Sequence, residues 1–289
     1  MQRRKQIWVA VAMLMSGIAF SAAPPLEMIP KQADVVIGVN ARQIIDSNVF
    51  QTRVASTPQV QAMIPVLENL LGTNFLKDIN YITFFGRMND KKAGGMILDG
   101  KFDPQKVVAI LKTSPKYQTE TIAGQTVHEW WDQKEKRMKY GTMLPNGMAL
   151  VANSKEEMEA ALGAAADKAQ SVAGTPEASW ITDNAAKSTI VATAVNREQK
   201  GAAEKYALNS LLLTLNLDAS DITAYLSITP RSQDDVAKWL DVLRGAKAWG
   251  QLQPEKQNLR TAAAGAVVDQ SSDLKSATMS ASMPVSEIK

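Results

Sequence analysis

"GGMILDGKFDPQKVVAILK", residues 94–112, sets the order of elements in this chain because a strand pattern runs directly into a helix pattern. Residues 93–102 are apolar enough to predict a β-strand. Asp103 and Pro104 predict the start of a helix, since Asp caps helix N-termini and Pro is favoured at the first helical position. Val107, Val108, Ile110 and Leu111 supply its buried stripe. Strand and helix in direct succession indicate an α+β protein.

The same stretch contains G-x-x-x-x-G-K, the phosphate-loop pattern, from Gly95 to Lys101. In a phosphate loop the strand precedes the first glycine, and backbone N–H groups between the glycines hold phosphate. Here those intervening residues are apolar and strand-like, and Phe102 stands where a magnesium-binding hydroxyl belongs. Asp103 would also repel a phosphate at the helix start. We therefore expect no nucleotide, and we identify no other cofactor.

Upstream and downstream of this stretch, strand and helix patterns alternate. Residues 33–40 predict a first strand, and residues 57–72 predict a helix that Pro65 kinks or splits. Residues 79–87 pair with 93–102 in a predicted hairpin. Four more strands are predicted, followed by a helix that Ser154 and Glu157 begin as a capping box. Those four strands are residues 117–122, 125–131, 138–144 and 147–153.

The second part of the chain repeats the order of the first. "STIVATAVNREQ" (188–199) echoes "DVVIGVNARQ" (34–43), and residues 211–230 predict another hairpin. A helix that Gly245 should end follows, residues 254–269 are ambiguous between helix and strand with helix favoured, and a final strand closes the chain. We predict two ferredoxin-like (βαββαβ-type) halves with antiparallel sheets, the first carrying extra hairpin strands.

These patterns give the predicted boundaries. The first α+β half covers residues 23–169, a linker rich in small and polar residues covers 170–179, and the second α+β half covers 180–289. Residues 1–22 are predicted to be a cleaved secretory signal peptide.

Three features of the N-terminus carry that prediction. Arg3, Arg4 and Lys5 precede an apolar run, Ile7–Phe20, that ends in small residues. A retained membrane anchor is the alternative, but the run falls short of the roughly 20 apolar residues that a spanning helix needs. We expect cleavage after Ser21 or Ala22, export to the periplasm or the extracellular space, and no membrane span in the mature chain.

Composition narrows the range of partners. The chain has 32 Lys+Arg and 29 Asp+Glu, so loss of the three leader cations leaves a mature chain that is formally neutral. A neutral surface with interspersed signs gives no reason to expect nucleic acid as a partner. With no cysteine, the chain forms no disulfide, although the expected compartment is oxidising.

The chain is poor in residues that perform catalysis. His128 is its only histidine, which excludes a zinc site built on paired His or Cys and leaves no cysteine nucleophile. Ser272 and Lys275 match S-x-x-K, but the companion elements of penicillin-binding enzymes are missing. We assign no catalytic, cofactor or metal residue and do not expect an enzyme; a hydrolase using carboxylate or Ser/Lys chemistry is kept as an alternative.

One stretch could contact a ligand or a partner. In "TVHEWWD", residues 126–132, side chains alternate between the faces of a strand, which puts His128, Trp130 and Asp132 on one face and Trp131 on the other. A polar and aromatic binding surface built from these four residues is one interpretation. Ordinary packing, with one indole in the core and the other over a sheet edge, is the competing and favoured interpretation.

Three segments resemble a group of uncharacterised exported bacterial proteins, a domain-of-unknown-function family. They are "GKFDPQKVVAILK" (100–112), "YQTETIAGQTVHEW" (117–130) and "GMALVANSKEEMEAAL" (147–162), and the likeness extends over Ala33 to Lys168. In that group a glycine, a basic residue and Phe-Asp begin a helix, and a later strand ends in a capped helix. The resemblance implies fold and export, and it brings no catalytic residue.

Three functions follow as hypotheses. The first is a non-catalytic protein of the cell envelope that acts by contact with another macromolecule, such as an envelope protein. The second is a periplasmic binder or carrier of a small apolar or aromatic ligand, in a pocket between the sheet and the helix around Pro65. The third is the hydrolase already named.

Overall fold

The computed structural model describes residues 23–88, 90–197, 207–253 and 256–287, so the predicted leader lies outside the described residues. The strands are β1 (Val35–Asn40), β2 (Ile79–Arg87), β3 (Asp90–Gly100), β4 (Gln118–Ile122), β5 (Gln125–Asp132), β6 (Arg137–Met143), β7 (Ala149–Ala152), β8 (Ile190–Val195), β9 (Leu208–Leu217), β10 (Asp221–Pro230), β11 (Val267–Gln270) and β12 (Ala277–Pro284). The α-helices described are α1 (Ala41–Asp46), α2 (Pro58–Leu71), α3 (Phe75–Asp78), α4 (Pro104–Leu111), α5 (Lys155–Ala166), α6 (Pro176–Ala185), α7 (Gln233–Gln251) and α8 (Gln257–Gly265).

All of these strands belong to one sheet, in the order β11-β12-β10-β9-β8-β1-β2-β3-β7-β6-β5-β4. Every neighbouring pair is antiparallel. Outward from the central β1–β8 pair, the series β1-β2-β3-β7 on one side corresponds to β8-β9-β10-β12 on the other. The two stretches that echo each other in sequence contain β1 and β8, and Val36 lies opposite Thr193 near the middle of that pair.

This topology supports the α+β class and the antiparallel pairing, but the ferredoxin-like arrangement is not confirmed. A split βαβ unit needs parallel strands joined by a crossover. Here the segment that contains α1, α2 and α3 joins β1 to its antiparallel neighbour β2, so it serves as a long hairpin connection. The predicted extra strands of the first half are present: β4, β5 and β6 extend the sheet beyond β7.

Helices cover both faces of the sheet. On one face, α5 and α6 bury Met158 and Ile181 against strand residues such as Ile97, Val127 and Leu150, which form the larger core. Side chains next to these in the strands point to the opposite face. There α4 lies over the first half, and α7 packs Val236, Leu240 and Leu243 on β10 and β12 in a second core.

The register shows that α4 and α7 share this face. Directly paired residues of neighbouring strands point the same way. The series of paired residues starts at Leu98, beneath α4, and leads through Ile82, Val39, Ile190 and Leu215 to Ala224. Leu226 and Ile228 point to the same face of β10 as Ala224, and both lie beneath α7.

Most predicted elements lie where the sequence placed them, and the structure adds detail at three segments. The helix containing Pro65 is continuous from Pro58 to Leu71, with Gly72 in the left-handed conformation as its C-cap. The prediction that Gly245 ends α7 was wrong: the helix continues to Gln251 because buried Gly250 still packs against α8, with Ala263 beside it. The ambiguous segment 254–269 contains both a helix, α8, and a strand, β11; residues 254–255 lie outside the described part.

Residues 170–179, the predicted linker, consist of tight turns followed by the start of α6. Ser171 bridges to Pro30, Val172 is buried in the larger core, and the Thr175 side chain caps α6 by accepting from the Ala178 N–H. This segment is therefore packed against the first half. The two halves also meet through the β1–β8 ladder, which makes the sheet continuous between them.

Candidate functional site

A small apolar cavity of about 170 Å³ lies between α4 and the sheet in the first half. Its floor comes from β3, β5, β6 and β7, and its roof from α4 and from Phe102, two residues before the helix. Carbon atoms form nearly all of the lining. The lining residues are Leu98, Phe102, Val107, Val108, Leu111, His128, Trp130, Gly141, Thr142, Met143, Ala149, Leu150 and Val151.

The roof helix is short and well capped. The Asp103 carboxylate accepts hydrogen bonds from the N–H groups of Gln105 and Lys106, and Pro104 opens the helix, as the sequence predicted. Eight residues make up α4, and none of them is fully buried. Its apolar stripe therefore faces the cavity without closing onto the sheet, which leaves the space beneath it.

Trp130 forms one wall of the cavity. A Cβ atom built on Gly141, in the neighbouring strand, would lie 2.9 Å from Cζ3 of the Trp130 ring. The missing side chain at Gly141 thus makes room for the indole to lie flat over β6. A larger residue at Gly141 would push the ring into the cavity.

His128 forms the neighbouring part of the wall. Its Nδ1 atom is 2.9 Å from the Tyr117 hydroxyl, and the two rings are stacked with centroids 6.0 Å apart. Burial lowers the pKa of His128 below its ordinary value of 6.5, and the nearby charge of Lys112 lowers it further. A neutral imidazole at neutral pH suits an apolar wall, and Thr142 adds little polarity because its hydroxyl donates to the Thr126 carbonyl.

The structure separates the four residues that the sequence singled out. His128 and Trp130 line the cavity. Trp131 does not line it; the Lys116 ammonium lies 4.5 Å from the Trp131 ring centroid. Asp132 caps the turn after β5, where the N–H groups of Lys134 and Glu135 donate to Oδ1. The backbone hydrogen bond from Glu135 is the main reason that the pKa of Asp132 is lowered.

The sequence interpretation placed a pocket between the sheet and the helix around Pro65, which is α2, whereas the cavity described above lies beneath α4. The sequence did not indicate that Leu98, Met143 and Val151 line the cavity. They come together only because β3, β6 and β7, which are distant in the chain, pair in the sheet. The helical stripe of α4 was visible in the sequence, but it predicts a buried face and gives no sign of empty space.

Other chemistry is sparse around the cavity. Within the described residues, no group of three or more His, Cys, Asp or Glu side chains is placed to hold a metal ion. Ser272 and Lys275 are exposed in the loop between β11 and β12, where the Lys275 N–H donates to the Asp273 carboxylate. The lining residues therefore offer space and apolar contact.

Comparison with known proteins bears on the fold. No family model and no curated protein matches the chain, so the family resemblance is not confirmed. Crystal form III of TP0453 is similar, with a TM-score of 0.53 and 10% identity over 92% of this chain and 96% of that one. Crystal form I of TP0453 gives a TM-score of 0.50 and 10% identity, with 93% and 96% covered. At this identity the likeness concerns the fold alone.

Proposed function

We propose that this protein binds a small apolar ligand in the cavity beneath α4. The observation that carries the proposal is an apolar space of about 170 Å³ bounded by Trp130 and the stripe of α4. Protein interiors are close-packed and contain few voids larger than a water molecule. An apolar cavity of about 150 Å³ engineered in another protein stays dry and binds benzene.

Size limits the ligand to one aromatic ring or an alkyl chain of comparable bulk. Burial is worth about 0.8 kcal/mol per CH₂ group, so six such groups contribute about 5 kcal/mol. That energy corresponds to a dissociation constant near the millimolar to high-micromolar range. The ligand should thus bind weakly.

Intrinsic fluorescence tests the proposal directly. Mature protein titrated with benzene, toluene and hexan-1-ol should show a saturable change in tryptophan emission, because Trp130 borders the cavity. The chain has six tryptophans, of which Trp8 lies in the predicted leader, so five remain in the mature protein and the assignment needs single variants. Trp130→Phe should remove most of the change, and Trp131→Phe, outside the cavity, should retain it.

A filled cavity provides the decisive control. Val108→Phe places a ring in the space that the ligand would occupy, so binding should weaken at least tenfold in a folded protein with an unchanged circular dichroism spectrum. Isothermal titration calorimetry would check this without relying on fluorescence. Equal affinities of Val108→Phe and the unchanged protein, or no saturable binding by any of the three compounds, would contradict the proposal.

The same proposal places the protein in the cell envelope. Support comes from Arg3, Arg4 and Lys5 ahead of the apolar run Ile7–Phe20. Among the helices of the described residues, none is long and apolar enough to cross a membrane. N-terminal sequencing of protein recovered from the envelope fraction should give a chain that begins after Ser21 or Ala22. Intact protein confined to the cytoplasm would contradict export.

Contact with another envelope protein is a second candidate, favoured by exposed apolar residues on α2. Met63 is 58% exposed and Val66 is 64% exposed. A photoreactive amino acid at Met63 should crosslink a discrete protein in intact cells, with Gln233 at the start of α7 as the control position. An identical pattern from both positions would count against a specific contact.

A further inference from the structure

The apolar stripe of α4 ends in a cation. Val107, Val108 and Leu111 line the cavity, and Lys112 follows directly with helical backbone angles as the C-cap. Residues four apart on a helix are neighbours on its surface, so Lys112 continues the row that Val108 begins. Lys112 therefore follows the cavity-lining row of α4 at its C-terminal end and carries its charge on a flexible stem.

Within the described part of the chain, Lys112 takes part in no ion pair. The Lys112 charge acts on His128 in the cavity wall. Burial is the main cause of the lowered pKa of His128, and the Lys112 charge lowers that pKa further. The Tyr117 hydroxyl, also beside His128, is occupied by the imidazole. Lys112 thus supplies a positive charge that acts on His128, a residue of the cavity wall, and that has no carboxylate partner among the described residues.

The other charged groups near this wall already have partners. Lys139, opposite Trp130 on β6, is bonded to Glu135 and Asn153, and Lys116 lies over Trp131. On β5, Glu129 accepts a hydrogen bond from Gln118 and faces away from His128. Asp132 caps its own turn. Among the groups named here, only Lys112 is available to an incoming anion.

We propose that the ligand of this cavity is a small apolar monocarboxylate, whose ring or chain fills the space beneath α4 and whose carboxylate pairs with Lys112 at its end. This rests on the proposed function and adds the chemical class of the ligand. A carboxylate loses too much hydration to enter a wholly apolar cavity, so its charge must remain outside, where a flexible lysine can reach it.

Matched pairs of ligands separate the two parts of the proposal. Benzoate with benzyl alcohol, and hexanoate with hexan-1-ol, would be titrated calorimetrically into the mature chain at pH 7.5. The same titrations would be run on Lys112→Met, which keeps the apolar stem and removes the charge. Lys116→Met is the control, because it removes a nearby charge that lies over Trp131 and not at the cavity.

We expect each acid to bind the unchanged protein more tightly than its alcohol. Lys112→Met should weaken the acids about three- to fivefold, the size of an exposed ion pair, and leave the alcohols unchanged. Lys116→Met should change neither. Raising sodium chloride to 0.5 M should reduce the advantage of the acids, because salt screens exposed charges.

Two results would overturn the monocarboxylate assignment while leaving the cavity as a binding site. One is equal affinity for acid and alcohol in the unchanged protein, and the other is an equal loss for both in Lys112→Met. Failure of acids and alcohols alike to bind the folded, unchanged protein would overturn the proposed function and this assignment together.

Discussion

The two halves of the sheet have corresponding strands on either side of the β1–β8 pair, yet helices cover them differently on the face that carries α4 and α7. In the second half, the 19-residue α7 packs three buried side chains on β10 and β12 and is supported by α8. In the first half, the eight-residue α4 has no fully buried residue and leaves a cavity.

The difference follows from the strands inserted between α4 and β7. β4, β5 and β6 widen the sheet on the side where a short helix must cover it, and two of them, β5 and β6, contribute to the cavity floor. A helix shorter than the surface beneath it cannot fill that surface with its own side chains. Widening one copy of a repeated architecture without lengthening its helix thus leaves space beneath that helix.

Removing a buried side chain from the second core should cause the greatest loss of stability. Leu240→Ala removes a side chain that is 8% exposed in the second core and should lower the free energy of unfolding by about 2–5 kcal/mol. Urea denaturation would measure it. Leu252→Ala, at a position 76% exposed after the same helix, is the control and should change stability by less than about 0.5 kcal/mol. Similar losses for both variants would mean that α7 is not packed as described.

Replacing valine with phenylalanine should have different effects on stability in the two halves. Val236→Phe overfills a site that is 1% exposed and should cost about 1–3 kcal/mol. Val108→Phe places the ring in the cavity and should change stability by less than about 1 kcal/mol. Thermal and urea unfolding of the two variants would compare them. Equal destabilisation would show that the space beneath α4 cannot accept a side chain.

Loss of a helix N-cap should lower stability by a similar amount in the two halves. The Ser154 hydroxyl accepts from the Glu157 N–H at the start of α5, and the Ser232 hydroxyl accepts from the Asp235 N–H at the start of α7. Each serine-to-alanine change should cost about 1 kcal/mol. Thr57→Ala is the control and should cost less, because the Thr57 hydroxyl donates to Val54 and does not cap α2. An equal cost at Thr57 would argue against capping as the cause.

The smallest expected effect is a pH dependence confined to the first half, since His128 is the only histidine. Burial, with a smaller contribution from Lys112, lowers the pKa of His128 in the folded chain below 6.5. Between 6.5 and that lowered pKa the unfolded chain binds more protons than the folded chain, so stability falls as the pH falls. Above that window the histidine makes no pH-dependent contribution.

Urea midpoints at pH 7.5, 6.5 and 5.5 would measure this dependence. His128→Gln should lose less stability on acidification than the unchanged protein, because glutamine does not titrate. Parallel curves for the two proteins would contradict the lowered pKa.

Local sequence signals predicted the elements well where a few adjacent residues decide the backbone. Asp103 with Pro104 begins α4, Ser154 caps α5, and Gly72 ends α2 in a left-handed conformation. The signal failed at Gly245, where glycine has no positive φ and the buried face of α7 continues to Gly250. Tertiary burial outweighed the cost of glycine in the helix.

The candidate site was predictable only in part, for a related reason. Strand alternation placed His128 and Trp130 on one face of β5, and both line the cavity. The same alternation placed Asp132 with them, but the turn after β5 engages its carboxylate. The residues around Gly141 in the sequence do not predict that it lies beneath Trp130, because that contact joins two different strands.

The lengths and types of most elements follow from the residues alone, as do the lack of disulfides and the scarcity of reactive side chains. These depend on composition and on contacts between residues a few positions apart. The pairing of β1 with β8, the place of β6 beside β7 and the incomplete cover that α4 gives the sheet are evident only in the folded chain. Such pairings depend on which surfaces can be buried together, and that is a property of the whole chain.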